Sequence, residues 1–285
     1  MVRGGGAPVI VWHQGALRPV EAVRIDPNDR GLLLADGVFE TMRARDGRIL
    51  RLERHWARLS EGARLLDIPL PLDEPGLVAV ARELLLANGF ARGEAVLRLT
   101  LTRGPGPRGL APPERPTPTL LLAAFPPAEP APPARAVLVK SVRRNELSPA
   151  SRIKSLAYLD PILALREAIA AGGDEALLCN TAGRLACASA ANLFLVVEGR
   201  IWTPSVGEGA LPGVTRAVLL DRARTAGLLA VEADVPRHLL ARAEEIFTTN
   251  AVRGIRAVAS VDGRVLAGPC PGPVTRRLQE LLEAE

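Results

Sequence analysis

Lysine is nearly missing from this sequence: of 36 lysines and arginines in 285 residues, only Lys140 and Lys154 are lysines. Arginine can replace lysine in a surface ion pair. It cannot replace a lysine that must lose its proton and attack a carbonyl, because guanidinium stays protonated at any working pH. The two remaining amines are therefore candidates for a nucleophile, with chance survival on a strand end the plainer reading for Lys140. Aromatic side chains are 3% of the chain, so Leu, Val and Ala must do the packing. Little is left for a surface on which nucleic-acid bases stack. The three cysteines, Cys179, Cys187 and Cys270, are an odd number at spacings that suit neither a disulfide framework nor a metal site. No metal and a reducing, cytoplasmic setting are expected. No apolar run approaches a membrane span, and Met1 to Ala7 carry no leader pattern, so no membrane association is expected.

What is present is enough for a full core. A hydrophobic content of 48% over this length supports one large domain or two smaller ones. The formal charge of +5 is spread over arginines interleaved with Glu and Asp, with no basic run. That pattern reads as solvated helix faces and excludes a nucleic-acid stripe, although a small anionic ligand needs only a few of the charges.

Strands are predicted over residues 9–13, 22–25, 38–45, 95–102 and 119–125, with Asp46-Gly47 as a hairpin turn. Helical periodicity runs over 54–66 and 74–88. The run PPAEPAPP (126–133) favours extended polyproline geometry and cannot join a sheet interior. It suggests a smaller α+β domain over 1–125, a linker over 126–134 and a larger domain over 135–285. In the latter, strands are predicted over 136–142, 175–179, 192–197, 200–203 and 245–249, and helices over 159–171, 214–226 and 273–282.

The run DRGLLLADGVFETMRARDGRILRLERHWARL (29–59) resembles the opening signature of fold-type IV pyridoxal-phosphate enzymes, the branched-chain and D-amino-acid aminotransferases with aminodeoxychorismate lyase. The resemblance continues through RIKSLAYLD (152–160), DEALLCNTAGRLACASAANLFLV (174–196), GALPGVTR (209–216) and EEIFTTNAV (244–252), in order and over most of the chain. It implies a two-domain α+β / α/β fold, a homodimer, and pyridoxal 5'-phosphate held in the larger domain.

By the same resemblance, Lys154 stands where the family's Schiff-base lysine stands. Arg58 is assigned to the cofactor phosphate, whose oxygens match a guanidinium fork. Gly213-Val214-Thr215 resembles the second phosphate element. Independently of resemblance, Pro212-Gly213 opens a predicted helix whose N–H groups and dipole favour an anion. Tyr158, the only tyrosine, follows Lys154 one residue closer than in the branched-chain enzymes and is set against the cofactor's phenolic oxygen. Asn250 is placed near the cofactor. Similar enzymes carry a glutamate before AANLF that keeps the pyridine nitrogen protonated; here Cys187 stands in its place. A thiolate, a carboxylate from elsewhere or a weaker electron sink would each answer that departure.

Two reactions share these motifs. TRGPGPRGL (102–110) and Asn250-Ala251 look like the lyase, whereas Phe39-Glu40 and GPCPGPVTRRLQ (268–279) look like the aminotransferases. Arg108 matches an arginine of the D-amino-acid enzyme, but Leu110 replaces its histidine partner. Transamination between an amino acid and a 2-oxo acid, in ping-pong fashion, is the expectation, being the commoner activity of the family. The lyase is the alternative, and a non-catalytic basic binding protein a third reading. Arg98, Arg103 and Arg108 are candidates for the substrate carboxylate, with Phe39 beside the substrate.

Overall fold

The computed structural model describes residues 9–284; Met1 to Ala7, for which no leader is expected, lie outside them. The described chain groups into two compact units. One holds the residues up to Ala128 with Lys154–Ala157; the other holds Glu129–Ile153 and everything from Tyr158. Among the described residues, no helix is long and apolar enough to cross a membrane.

The first unit is a six-stranded antiparallel sheet in the order β2-β1-β6-β5-β3-β4. Its elements are β1 (Ile10–His13), β2 (Ala16–Pro19), α1 (Arg30–Leu34), β3 (Gly37–Arg45), β4 (Arg48–Ile49), α2 (Leu52–Leu65), α3 (Glu74–Ala87), β5 (Glu94–Thr102) and β6 (Thr119–Phe125). Asp46 and Gly47 both adopt positive φ, 49° and 76°. That is the turn geometry whose twist matches a tight hairpin, and Arg45 pairs with Arg48 across it. Asp73 caps α3 by accepting from the Gly76 N–H at 2.8 Å. Leu77, Ala81, Leu84 and Leu85 give that helix its buried stripe. The strand predicted over 22–25 does not form. Gln14 and Gly15 make a positive-φ turn that folds Ala16–Pro19 straight back onto β1, so the second strand comes six residues earlier.

Lys154–Ala157, expected with the C-terminal domain, packs with this first unit. The Phe39 N–H donates to the Lys154 carbonyl at 2.9 Å, and the Leu156 N–H to the Gly37 carbonyl at 3.0 Å. The approach is close: a Cβ on Gly37 would lie 2.4 Å from the Leu101 carbonyl oxygen and 2.8 Å from the Leu156 side chain.

The second unit is built on a ten-stranded mixed sheet, ordered β12-β11-β10-β14-β15-β7-β8-β9-β13 with β16 on β15. Its elements are β7 (Ala134–Leu138), α4 (Leu159–Ala170), β8 (Glu175–Cys179), β9 (Arg184–Ala188), β10 (Asn192–Val197), β11 (Arg200–Pro204), α5 (Val214–Thr225), β12 (Ala230–Ala233), β13 (Val235–Pro236), α6 (Leu239–Arg242), β14 (Glu245–Asn250), β15 (Gly254–Val261), β16 (Arg264–Val265) and α7 (Pro273–Glu283). β10 is buried on both faces, as its unbroken apolar run requires. Leu193, Leu195 and Val197 enter one core cluster, while Phe194 and Val196 enter another beneath α5 and α7. Phe194 stacks on Phe247 with ring centroids 5.0 Å apart. β7 ends at Leu138, short of the predicted 142. Neither β9 nor β15 is among the predicted strands. In β9 (RLACA) two alanines give weak strand preference, and the sheet neighbours supply what propensity does not; β15 (GIRAVASV) carries Ile255, Val258 and Val261, an ordinary strand composition.

Candidate active site

Lys154 sits half-buried against the start of β3. Its Nζ lies 4.3 Å from the centroid of the Phe39 ring, and the Arg98 guanidinium carbon lies 3.9 Å from the same centroid. Burial lowers the amine's pKa from its ordinary 10.5 to about 8; Arg58 and Arg98 push the same way and Glu40 opposes them. The amine expected to be a nucleophile is therefore partly unprotonated near neutral pH.

Arg58 projects from α2 onto Glu40 of β3. Its Nε and Nη2 donate to the two carboxylate oxygens at 2.7 Å each. His55, one helical turn earlier, meets the same carboxylate through Nδ1 at 2.8 Å. Glu40 is 1% exposed. Burial alone would raise its pKa, but the hydrogen bonds from His55 and Arg58 outweigh that and hold it at about 2. An ionised carboxylate only accepts, so His55 Nδ1 carries the proton. Burial keeps the rest of that ring neutral. In sequence, Phe39-Glu40 resembles the aminotransferases, but residue order marks neither Glu40 nor His55 for a role.

The three candidate carboxylate-binding arginines separate. Arg98 is half-buried and stacked on Phe39. Arg103 is committed elsewhere. Its Nε and Nη2 bind Asp36 at 2.7 and 3.2 Å, Nη1 donates to the Asp67 carbonyl, and Nη2 also donates to that of Leu66. A buried guanidinium so engaged ties the 66–67 turn to β5 and does not serve substrate. Arg108 is exposed on the loop between β5 and β6. That loop is held by Arg30, which donates to the carbonyls of Gly109 (3.0 Å), Leu110 (2.9 Å) and Ala111 (3.2 Å) and to Asp36 at 2.8 Å.

In the second unit, α5 begins at Gly213 with no side-chain cap although Val214, Thr215 and Arg216 are all buried. A buried helix start without partners is a ready anion site. Two buried hydroxyls, Thr215 Oγ1 and Thr249 Oγ1, find no hydrogen-bond partner among the described residues. Asn192 links them: it stands opposite Thr249 in the sheet, and its Oδ1 would lie 1.9 Å from a Cβ on Gly213. Glycine is thus required at 213 by close approach. Gly213, Val214 and Thr215 open a buried, uncapped helix start, and orphaned donors of this kind suit a phosphate.

The Asn250 amide donates through Nδ2 to the Ala190 carbonyl at 3.4 Å. Its Oδ1 accepts from the Val252 and Arg253 N–H groups at 3.1 and 2.8 Å, closing the turn after β14. The neighbouring Thr249 carries the orphan donor instead. Strand alternation was the signal that could have found it. Tyr158 is half-buried at the N-terminus of α4, where its carbonyl accepts from the Ile162 N–H.

Cys187 lies on β9 opposite Leu178 and packs with Val139, Val142, Ala164 and Ala168. Burial pushes the thiol up to about 11; Arg144 pulls it down and Glu175 pushes it up. The thiolate considered from the sequence is therefore not the form present at neutral pH. Glu175 is buried, and its Oε1 accepts from Ser189 Oγ at 2.5 Å and from the Ser189 N–H at 3.2 Å.

Known proteins are similar to this chain over nearly its whole length. The family described as amino-transferase class IV matches residues 37–261. A Methanocaldococcus jannaschii protein named "Putative branched-chain-amino-acid aminotransferase" is 38% identical over 279 residues, covering 95% of this chain and 94% of its own. The D-alanine aminotransferase of Bacillus licheniformis is 29% identical over 282 residues, covering 96% and 95%. The solved branched-chain aminotransferase of the thermophilic archaeon Thermoproteus uzoniensis, with norvaline, superposes with a TM-score of 0.89 at 29% identity, covering 97% of this chain and 94% of that one. This chain belongs to the class IV aminotransferases, pyridoxal-phosphate-dependent transferases of fold type IV.

Proposed function

We propose that this aminotransferase moves the amino group of an apolar, branched-chain amino acid to a 2-oxo acid, with Lys154 holding the cofactor and moving the proton. The observation that carries this reading is an amine brought to about 8 beside an apolar ring and two guanidinium groups. The bound pyridoxal phosphate supplies a conjugated ring that draws electrons from the substrate's α-carbon. Lys154 Nζ takes the α-proton as general base and returns it as general acid, for which a pKa near the working pH is suited. Arg58 would hold the phosphate, as would the Gly213–Thr215 helix start with the hydroxyls of Thr215 and Thr249. Arg98 takes the substrate carboxylate above Phe39, whose ring keeps water from the amine. Tyr158 would serve the phenolic oxygen. Cys187, standing at the pyridine nitrogen as the resemblance implies, would be neutral and offer it no fixed negative charge.

Assembly as a homodimer is part of the same proposal, with a cytoplasmic setting. Two helices bury small or polar residues and turn large apolar ones outward. α1 buries Arg30 and exposes Leu32, Leu33 and Leu34 at 67%, 61% and 45%. α4 buries Ala164 and Ala168 and exposes Leu159, Ile162 and Ile169 at 66%, 53% and 60%. Patches of this kind mark association surfaces.

A screen of amino donors tests the reading. L-Leucine, L-isoleucine and L-valine should convert the bound cofactor to its amine form, and D-alanine and 4-amino-4-deoxychorismate should not. Release of 4-aminobenzoate from the last, with no turnover of the branched-chain donors, would replace this reading with the lyase.

A further inference from the structure

We propose that Glu40 and His55 are positioning residues for phosphate recognition, a buried carboxylate–imidazole pair that fixes the plane of the Arg58 guanidinium. The inference rests on the assignment of Arg58 to the phosphate and extends it to two residues with no other evident role.

A carboxylate is out of place here. Lys154, Arg58 and Arg98 make this region attractive to anions, and a buried negative charge among them repels a phosphate dianion. It also costs desolvation unless fully paired. Glu40 is nonetheless 1% exposed, and its charged form is held by three donors. What it provides is direction. Two parallel contacts from Nε and Nη2 at 2.7 Å engage one edge of a rigid planar fork, so the orientation of Nη1 is set with it. A single contact would leave the fork free to swing.

The sequence positions make the device. Along β3, Phe39 and Glu40 face opposite sides of the sheet: Phe39 meets Lys154, and Glu40 meets α2. On α2, His55 and Arg58 are three apart, hence neighbours on one helix face. His55 is buried at 2%, and the charged groups acting on it are Glu40, Arg58 and Arg51. Being neutral, it satisfies the second lone-pair direction of the carboxylate without adding a cation that would compete with Arg58. A lysine or arginine there would split the carboxylate between two cations and release Arg58 from its fixed plane.

The test uses the full-length, cofactor-free protein and compares affinity for pyridoxal 5'-phosphate with affinity for pyridoxal, which lacks the phosphate. Glu40→Gln and His55→Leu should each weaken pyridoxal 5'-phosphate by about tenfold or more, the scale of one charge-assisted hydrogen bond, with pyridoxal changed less than about twofold. His55→Asn, whose amide can donate where Nδ1–H donates, should keep most of the discrimination. Equal weakening of both ligands, or of neither, would show a purely structural pair and overturn the proposal; the two His55 variants decide it if Glu40→Gln does not fold. Arg58→Ala separates the two levels. Discrimination unchanged in Arg58→Ala removes the phosphate assignment and this inference together. Discrimination lost in Arg58→Ala but kept in Glu40→Gln and His55→Leu removes the inference alone.

Discussion

The ionisation of Lys154 can be measured directly because the chain has so few lysines. An ordinary lysine, with a pKa of 10.5, is unprotonated to roughly 0.03% at pH 7, whereas one at about 8 is unprotonated to roughly 10%. The structure thus predicts roughly 300 times more reactive amine at neutral pH. Competitive labelling of the cofactor-free protein with an amine-directed reagent across pH 6 to 11 would read this, with peptide mapping of each lysine. Exposed Lys140 serves as an internal reference. The Lys154 labelling rate should level off above about pH 8 to 9. The stability consequence has a definite sign. The folded chain binds this proton more weakly than the unfolded one, so the site costs stability below about pH 8. That cost fades as pH rises toward 10.5. A labelling midpoint near 10.5 for Lys154 would refute the argument that burial and the two arginines set its chemistry. Borohydride fixation of the cofactor on Lys140 would refute its assignment as the anchor.

The phosphate cradle gives a second expectation. Thr249→Val and Thr215→Val each remove a buried hydroxyl that has no partner among the described residues, so thermal stability of the cofactor-free protein should hold or rise slightly. Retention of pyridoxal 5'-phosphate on dialysis should fall by about tenfold, and a Thr249→Val protein that keeps its cofactor would place the phosphate elsewhere. Cys187 gives a third. A folded Cys187→Glu variant should change the pH profile and speed of the first half-reaction, despite about 1–3 kcal/mol of overpacking, and Cys187→Ala should slow it. Identical single-turnover rates and cofactor spectra in both would set this side chain apart from the ring.

Much of this was legible in residue order. The five motifs carry the fold, and the scarcity of lysine singles out Lys154 independently of them. The strands over 175–179 and 192–197 follow from apolar runs too short for helices, and both have those bounds. What escaped the sequence depends on which neighbour faces inward. Asn250 and Thr249 are adjacent polar residues, and only the pairing of β14 with β10 turns Thr249 toward Asn192. Arg98 and Arg103 look alike in sequence, yet Arg103 meets Asp36 from a distant turn, a contact no local pattern encodes. Glu40 and His55 escaped for the same reason: their bond joins a strand to a helix across fifteen residues. The grouping of Lys154–Ala157 with the first unit could not be read from a proline-rich boundary, because a boundary orders the chain and does not say where a later segment returns.

The loop held by Arg30 separates shape from specificity. The guanidinium grips Gly109, Leu110 and Ala111 by their carbonyl oxygens alone, groups that every amino acid carries. The side chain of Leu110 points away, 83% exposed. The residue at that tip can therefore be exchanged with little cost to the loop's path, so a library at 108 and 110 would vary chemistry on a constant backbone. The same loop offers a natural lineage room to change what it touches without first relearning how to fold.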